Sequence, residues 1–308
     1  MWWYIGKRLL QTIPVILGAT FIIWALVFLR PGDPILGLFG DKPASPAVKA
    51  AIEHQYHLDE NFFVQWLYFL KGIFTFDLGD DFRGQAISTQ LQNAFPVTVT
   101  LALMALVFEA IFGVVLGTIA GLRRNGWFDS TMLVATLIML AIPIFVIGFV
   151  FQLFFGVKLG WAAVTVGGDW TVSKLILPAV VLGIVDLAYT LRLTRTSVAE
   201  NLSADHVRTA RAKGLSPGLV VRNHVLRNSL IPVTTHLGVN VGGLMAGAVI
   251  TEGIFNVPGV GNLAFRSIQQ GQSTTVVSVV TVMVLVYVLM SLLVDLLYAV
   301  LDPRIRYA

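Results

Sequence analysis

Few residues of this 308-residue sequence have types and spacings that could support catalysis. Residues 214–218, Gly-Leu-Ser-Pro-Gly, match the G-x-S-x-G pattern of a nucleophile elbow, which needs a preceding strand. Here the run follows a predicted helix, and its residues are typical of helix caps: Gly214 ends one helix, and Ser216 and Pro217 begin the next. We therefore do not interpret Ser216 as a nucleophile. The sequence contains no cysteine, which excludes thiolate chemistry, cysteine-bound zinc and iron–sulfur clusters.

Metal and nucleotide chemistry find little support either. The five histidines do not form an H-E-x-x-H motif; they are His54, His57, His206, His224 and His236. His54 and His57, three residues apart on a predicted outer helix, are the one pair that could touch a metal. No G-x-x-x-x-G-K-[ST] sequence occurs, so this chain cannot itself cradle ATP phosphates, and we expect no cofactor in it.

The composition is that of a membrane protein. Hydrophobic residues make up 56% of the chain and charged residues only 12%, about half the share found in soluble domains. This excludes a cytosolic enzyme, a disulfide-stapled secreted module and a disordered tail. The net charge of +4 is spread over so much apolar sequence that we interpret it as membrane topology and expect no nucleic-acid partner.

Six stretches are long and apolar enough to cross a bilayer as helices. They cover residues 9–29, 97–121, 132–155, 175–191, 231–250 and 276–300, and the fourth is expected to extend toward Ser197. The prediction is an all-α polytopic membrane protein with six transmembrane helices. Its parts are an N-terminal anchor helix (1–30), an extracytoplasmic, partly helical loop (31–96), a transmembrane core (97–300) and a tail (301–308).

The positions of Lys and Arg predict the orientation. Basic residues cluster before the first span, in the second loop, in the fourth loop and at the C-terminus: Lys7, Arg8, Arg123, Arg124, Arg192, Arg195, Arg208, Arg211, Lys213, Arg222, Arg227, Arg304 and Arg306. The opposite short loops carry only Lys158, Lys174 and Arg266. Both termini are therefore expected in the cytoplasm.

Two outer segments are predicted to be structured. In the first loop, Ser45 and Pro46 are typical of a helix start, and a second helix is expected over residues 61–74. This loop is either a helical cap or a landing surface for an extracellular partner. In residues 251–273, four glycines and Pro258 are expected to interrupt any helix, giving a turn that dips toward the mouth of a pathway.

The fourth loop (192–230) is predicted to contain two capped helices. Ser203 is the expected N-cap of the first, with Asp205 near its N-terminus and Arg211 and Lys213 near its C-terminus. The small side chains of residues 204, 207, 210 and 214 share one face, which we interpret as suited to a groove in another protein. The alternative is that the basic residues merely obey the positive-inside rule.

Seven segments in order resemble one family. They are RLLQTIP (8–14), FLRPGDP (28–34), QWL…DLG (65–79), RTARAKG (208–214), LRNSLIP (226–232), GIFNVPG (253–259) and LDPR (301–304). The chain resembles, over essentially its whole length, the inner-membrane permease subunit of dipeptide, oligopeptide and nickel ATP-binding-cassette (ABC) importers.

The resemblance implies a type I importer permease that forms half of a translocation pathway. Implied partners are a second homologous permease, expected to be a paralogue, two cytoplasmic ATPases that bind ATP and Mg²⁺, an extracytoplasmic solute-binding protein and the lipid bilayer. The fourth loop would hold the coupling helix with the EAA motif, in which Arg208 stands at the glutamate position and departs from the pattern. Implied coupling residues are Asp205, Arg208, Thr209, Ala210, Arg211, Lys213 and Gly214; implied binding-protein contacts are Phe255, Asn256 and Pro258. The substrate is open among dipeptides, longer peptides, glutathione, haem and nickel.

Polar residues and glycines inside the spans are further candidates. Glu109, Asp186 and Asn240 are candidate pathway residues, since a charge at mid-membrane must face protein or water. They serve either as polar glue between helices or as contacts for the amino terminus of a peptide. Glycines at four-residue spacing in spans two and five predict close helix packing or, alternatively, room for a solute.

Two other classes of protein fit less well. A secondary transporter would show internal repeats, and the two halves of the sequence share no convincing similarity. An intramembrane protease would need the metal motif that is missing or a serine nucleophile, and Ser216 is interpreted as a cap.

Overall fold

The computed structural model describes residues 2–28, 59–81 and 83–301, and within them it is built from helices and turns. We number the helices in chain order. They are α1 (Trp2–Phe28), α2 (Phe62–Thr75), α3 (Ile87–Leu122), α4 (Trp127–Ala141), α5 (Ile144–Phe151), α6 (Val172–Asn201), α7 (Asp205–Ala212), α8 (Pro217–Val220), α9 (Arg227–Phe255), α10 (Val260–Gln269) and α11 (Ser273–Leu301). Two π-helical segments, Gln152–Lys158 and Val221–Leu226, continue α5 and join α8 to α9.

The predicted spans correspond to long apolar helices. Five of the described helical stretches are long and apolar enough to cross a membrane, and a bent helix pair makes a sixth. The fourth span does extend beyond Ser197, because α6 ends at Asn201. The second span starts earlier than expected: α3 begins at Ile87, so residues 87–96 belong to this helix and not to the outer loop. The helix predicted after Ser45 lies outside the described residues.

The third span is broken, and the prediction of one continuous helix is wrong. Helices α4 and α5 meet at an angle of 101° across Ile142 and Pro143. Proline has no backbone N–H to donate, and it forces the residue before it away from the helical conformation. Ile142 is accordingly extended, with φ −90° and ψ 125°, and the chain restarts as α5 directly after Pro143.

The chain divides into two compact units, the first formed by residues 1–98 and 258–308. In it, α2 begins as predicted, with the side chain of Asn61 accepting a hydrogen bond from the Phe63 amide. Phe21 of α1 packs against three aromatic rings of α2, those of Phe62, Phe63 and Trp66. The apolar core of this unit includes Ile87, Leu91, Ala94, Val260, Ala264 and Val279.

The second unit, residues 99–257, is organised around α6. More than half of the most apolar stretch of α6 is buried, which is the largest share among the candidate spans. Gly113, Gly117 and Gly121 of α3 face α6 so closely that a Cβ atom on them would lie 2.6, 2.6 and 2.8 Å from α6 atoms. A Cβ atom on Gly183 of α6 would likewise lie only 2.8 Å from the carbonyl oxygen of Ala105 in α3. The close packing predicted for span two is confirmed, with α6 as the partner.

The outer segment 251–273 is more helical than predicted. Gly253 and Gly261 lie inside α9 and α10, so the expectation that they interrupt the helix is wrong. The helix is interrupted at residues 256–259, a turn that starts where Asn256 adopts the left-handed conformation (φ 51°), and again at residues 270–272, where Gly271 has φ 66°. Glycine is tolerated in helices of membrane proteins where neighbouring helices pack against it.

Candidate functional site

Helix α7 stands between α6 and the helical stretch that starts at Pro217. Asp205 lies in its first turn and Arg211 in its last, as expected for side chains that complement the helix dipole. Gly214 follows in the left-handed conformation (φ +76°), which confirms the predicted end. The predicted N-cap is wrong: Ala204 occupies that position, and the hydroxyl of Ser203 donates to the carbonyl of Glu200 instead.

The apolar side of α7 is buried in its own chain. Val207 (0% exposed) and Ala210 (4%) pack in one cluster with Val198 at the end of α6 and with Val220 and Val225 before α9. For Val207 and Ala210, the interpretation that this small-residue face enters a groove of another protein is therefore wrong, whereas Ala204 is half-buried and Gly214 is exposed. Ala210, one of the implied coupling residues, is 4% exposed and so offers almost no surface to a partner. The burial of these apolar side chains holds α7 to the end of α6 and to the helical stretch before α9.

The polar side of α7 is exposed. Asp205, Arg208, Thr209, Arg211 and Lys213 all face solvent. The Arg208 and Asp205 side chains are 76% and 98% exposed and lie 3.7 Å apart, so this ion pair adds little stability and leaves both groups available. A partner that binds this surface would contact three cationic side chains and one carboxylate, on a helix whose opposite side packs against its own chain.

A polar contact that the sequence analysis missed joins α7 to the start of α9. The Nε2 atom of His206 lies 3.0 Å from the carbonyl oxygen of His224 and 3.1 Å from the side-chain amide nitrogen of Asn228. That amide also donates to the His224 carbonyl at 3.1 Å. His206 and Asn228 are 22 residues apart, and no local pattern in the sequence connects them.

Inside the second unit, the three candidate pathway residues come together. The carboxylate of Glu109 (α3) is fully buried and accepts hydrogen bonds from the Thr190 hydroxyl at 2.6 Å and from the Asn240 amide at 2.9 Å. Asp186, half-buried on α6, lies near enough to interact electrostatically with Glu109 and with His236. The helices α3, α6 and α9 thus meet around one polar cluster of Glu109, Asp186, Thr190, His236 and Asn240.

The sequence analysis missed two members of this polar cluster. Thr190 lies four residues after Asp186, and His236 four residues before Asn240, so helical spacing could have placed each pair on one face. The Nε2 atom of His236 is 3.7 Å from a Glu109 oxygen, beyond hydrogen-bonding distance, and it has no hydrogen-bond partner among the residues that the structure describes. The side chain of Asn240 hydrogen-bonds to Asp186 as well as to Glu109, so it bridges the two carboxylates. Chemically, the half-buried Asp186 is the member through which the cluster can bind a cationic group.

The three residues proposed to contact a binding protein differ in exposure. The ring of Phe255 is fully buried, so it offers no surface in this structure, whereas Asn256 and Pro258 are half-buried. The backbone near them is held by the loop after α5: the amides of Val166 and Gly167 donate to the carbonyls of Phe255 and Asn256. The side chain of Gln152 fastens the same loop by donating to the Val164 and Ile254 carbonyls.

A bidentate ion pair links the C-terminal part of α6 to α4. The guanidinium of Arg195 donates to both carboxylate oxygens of Asp129, at 2.8 and 2.6 Å, and Asp129 is only 2% exposed. Arg195 was counted as a loop residue from the sequence, but it lies on α6 and ties that helix to α4.

Metal binding finds no support in the part of the chain that the structure describes: it has no group of three or more His, Asp or Glu residues that could hold an ion. His54 and His57 lie outside the described residues. The described residues thus contain two separate candidate sites, the exposed surface of α7 and the intramembrane polar cluster.

Comparison with known proteins gives consistent matches. The model of the family described as "binding-protein-dependent transport system inner membrane component" matches residues 113–307. A dipeptide transport system permease protein of Bacillus subtilis is 35% identical over 98% of this chain and 97% of its own length. A di/tripeptide transport system permease protein of Pseudomonas aeruginosa is 35% identical over 99% and 98%. A glutathione transport system permease protein of Pectobacterium atrosepticum is 37% identical over 99% of both chains.

Proposed function

We propose a solute and a route of energy coupling for this chain, which belongs to the family of binding-protein-dependent transport system inner membrane components. It is the permease subunit of an ABC importer, an all-α multi-pass protein of the inner membrane, and a transport component and not an enzyme. Such an importer also contains ATPase subunits, a second permease and a solute-binding protein.

The proposed route of coupling is the exposed side of α7. The observation that carries it is the division of this helix: its apolar side packs on the end of α6 and on the helical stretch 217–226 that leads into α9, and its cationic side projects into solvent. A force applied to the exposed side is therefore transmitted to two spans at once. Two ATPase subunits that bind ATP and Mg²⁺ and close together would shift the permease between inward-open and outward-open states, provided that they bind the two states differently.

Charge reversal tests this docking. Arg208→Glu is expected to lower the amount of ATPase that co-purifies with the permease several-fold, because it places a second carboxylate beside Asp205. The matched control is Arg123→Glu, which makes the same change at an exposed residue of the loop after α3. Equal ATPase recovery with both variants would contradict docking on α7.

The proposed solute is a short peptide with a free amino group. The relatives named above are permeases for dipeptides, di- and tripeptides and glutathione, which share peptide bonds and termini of opposite charge. The polar cluster offers matching chemistry, since Asp186 is half-buried and can pair with an ammonium group.

Transport assays test the substrate and the role of the polar cluster. Reconstituted importer should take up labelled dipeptides and tripeptides only with its binding protein, and neither haem nor nickel. Asp186→Asn should lower uptake more than assembly. Glu109→Gln should weaken uptake and assembly together, because Glu109 links three helices through Thr190 and Asn240. Equal loss of both functions in Asp186→Asn would indicate that this residue is only structural.

The proposed orientation places α7 and both termini in the cytoplasm. Its support is the concentration of Lys and Arg in the loops that share this side. Because the chain has no cysteine, single-cysteine variants label cleanly. A membrane-impermeant maleimide should label Ser203→Cys only in inverted vesicles and Asp169→Cys only in intact cells whose outer membrane is permeable to the reagent. The reverse pattern would overturn the orientation.

A further inference from the structure

We infer that His206 and Asn228 are positioning residues that lock the coupling helix α7 to the start of α9; this rests on the proposed docking of an ATPase on α7. The lock consists of the His206 ring, the backbone carbonyl of His224 and the Asn228 side-chain amide. It is a polar connection between α7 and α9, next to an apolar cluster that α7 shares with the end of α6 and with the helical stretch 217–226 that leads into α9.

The lock sits on an irregular part of the helix. Residues Val221–Leu226 are π-helical, so the helix that leads into α9 is locally wider than an α-helix and its carbonyls are displaced from the usual pattern. The His224 carbonyl uses this position to accept from the Asn228 side chain and to face the His206 ring. Such single-turn π segments are frequent at functional sites.

The lock can form with either neutral tautomer of the His206 imidazole. When Nε2 carries the proton, it donates to the His224 carbonyl, and Asn228 donates to the same oxygen. When Nε2 is unprotonated, it accepts from one hydrogen of the Asn228 amide, while the other hydrogen still reaches the carbonyl. In both neutral forms at least one hydrogen bond joins His206 to the α9 side.

A hydrogen-bonded lock and apolar packing have different mechanical effects. Apolar contacts are non-directional and let surfaces slide, whereas hydrogen bonds weaken steeply with misalignment. The apolar cluster therefore holds α7 in place, and the His206–Asn228 lock fixes its rotation and register relative to α9. Without the His206–Asn228 lock, we expect that an ATPase still binds and moves α7, but that only part of this movement reaches α9.

The test measures substrate transported per ATP hydrolysed, in importer reconstituted with its ATPases, second permease and binding protein. His206→Leu and Asn228→Leu should lower this ratio about three- to tenfold, the factor expected when one or two neutral hydrogen bonds are lost. ATPase co-purification should stay at the wild-type level. His206→Gln, whose terminal amide can donate and accept near the Nε2 position, should restore most of the ratio. His224→Gln is the matched control, because it changes the side chain but keeps the carbonyl.

The outcomes separate this inference from the docking proposal. A wild-type ratio in both leucine variants, or a His206→Gln variant as impaired as His206→Leu, would overturn the lock. Loss of ATPase co-purification in His206→Leu would also overturn it, because His206 would then act in docking itself. If Arg208→Glu retains its ATPase while the His206 variants lose coupling, the docking proposal fails and the mechanical link between α7 and α9 stands.

Discussion

The contact between α3 and α6 is predicted to depend on the absence of a side chain at Gly117. A Cβ atom there would lie 2.6 Å from the carbonyl oxygen of Leu191 and 2.7 Å from Cβ of Thr194. Real Cβ contacts are essentially never shorter than 3.0 Å, so in Gly117→Ala the two helices must separate by about 0.4 Å or more. The neighbouring 2.6 Å hydrogen bond between Thr190 and Glu109 would lengthen accordingly.

The size of the effect follows from two opposing contributions. Overpacking of this kind costs about 1–3 kcal/mol, and alanine in a helix is about 1 kcal/mol more favourable than glycine. The control is Gly18→Ala in α1, where a Cβ atom has no neighbour within 4 Å, so only the favourable contribution remains. Because the propensity gain cancels between the variants, their stabilities should differ by about 1–3 kcal/mol.

Thermal unfolding of the purified permease in detergent measures this difference. With about 2–4 °C per kcal/mol in soluble domains of 150–250 residues as a guide, Gly117→Ala should unfold several degrees below Gly18→Ala. Uptake should fall in Gly117→Ala only. Equal midpoints for the two variants would refute the inference that glycine at position 117 is required for the approach of α3 to α6.

Two further predictions concern buried residues of the second unit. Ala210→Leu should lower the unfolding midpoint, because overpacking of this buried site costs about 1–3 kcal/mol. Ala212→Leu, on the exposed side of α7, should leave the midpoint unchanged. Matching midpoints for the two variants would show that the apolar side of α7 is not tightly packed. Arg195→Met leaves the carboxylate of Asp129 buried without its cation and should cost about 3 kcal/mol, and adding Asp129→Asn should recover most of it. A double variant as unstable as Arg195→Met would argue against an unpaired charge as the cause.

The long apolar helices were predictable because a membrane span needs a long apolar run, and such runs are visible without a structure. The ends were less predictable. Residues 87–96 continue the helix with Ile87, Leu91 and Ala94 buried in the apolar core, although some polar residues between them are exposed. The break at Pro143 carried a sequence signal. The prediction placed Pro143 inside one span, although proline together with an extended residue before it can also end a helix.

The candidate sites were predicted in part. Gly214 was recognised because the left-handed conformation strongly favours glycine, and Glu109, Asp186 and Asn240 because polar groups are expensive in a membrane. The orientation of α7 was assigned wrongly: small side chains suit a groove of a partner and a contact within the chain equally well. The contacts of His206 with Asn228 and of Asp129 with Arg195 join residues distant in sequence, so they depend on the fold.

The central claim is that an ATPase drives this permease through the exposed side of α7, and site-directed cross-linking tests it most directly. The chain has no cysteine, so Arg208→Cys and, as control, Asp169→Cys each introduce one thiol at an exposed position. With a short thiol-to-amine cross-linker in the assembled importer, Arg208→Cys should join the ATPase subunit with a yield that changes when ATP is added, and Asp169→Cys should not. Absence of any ATPase adduct at residue 208, with and without ATP, would contradict the claim.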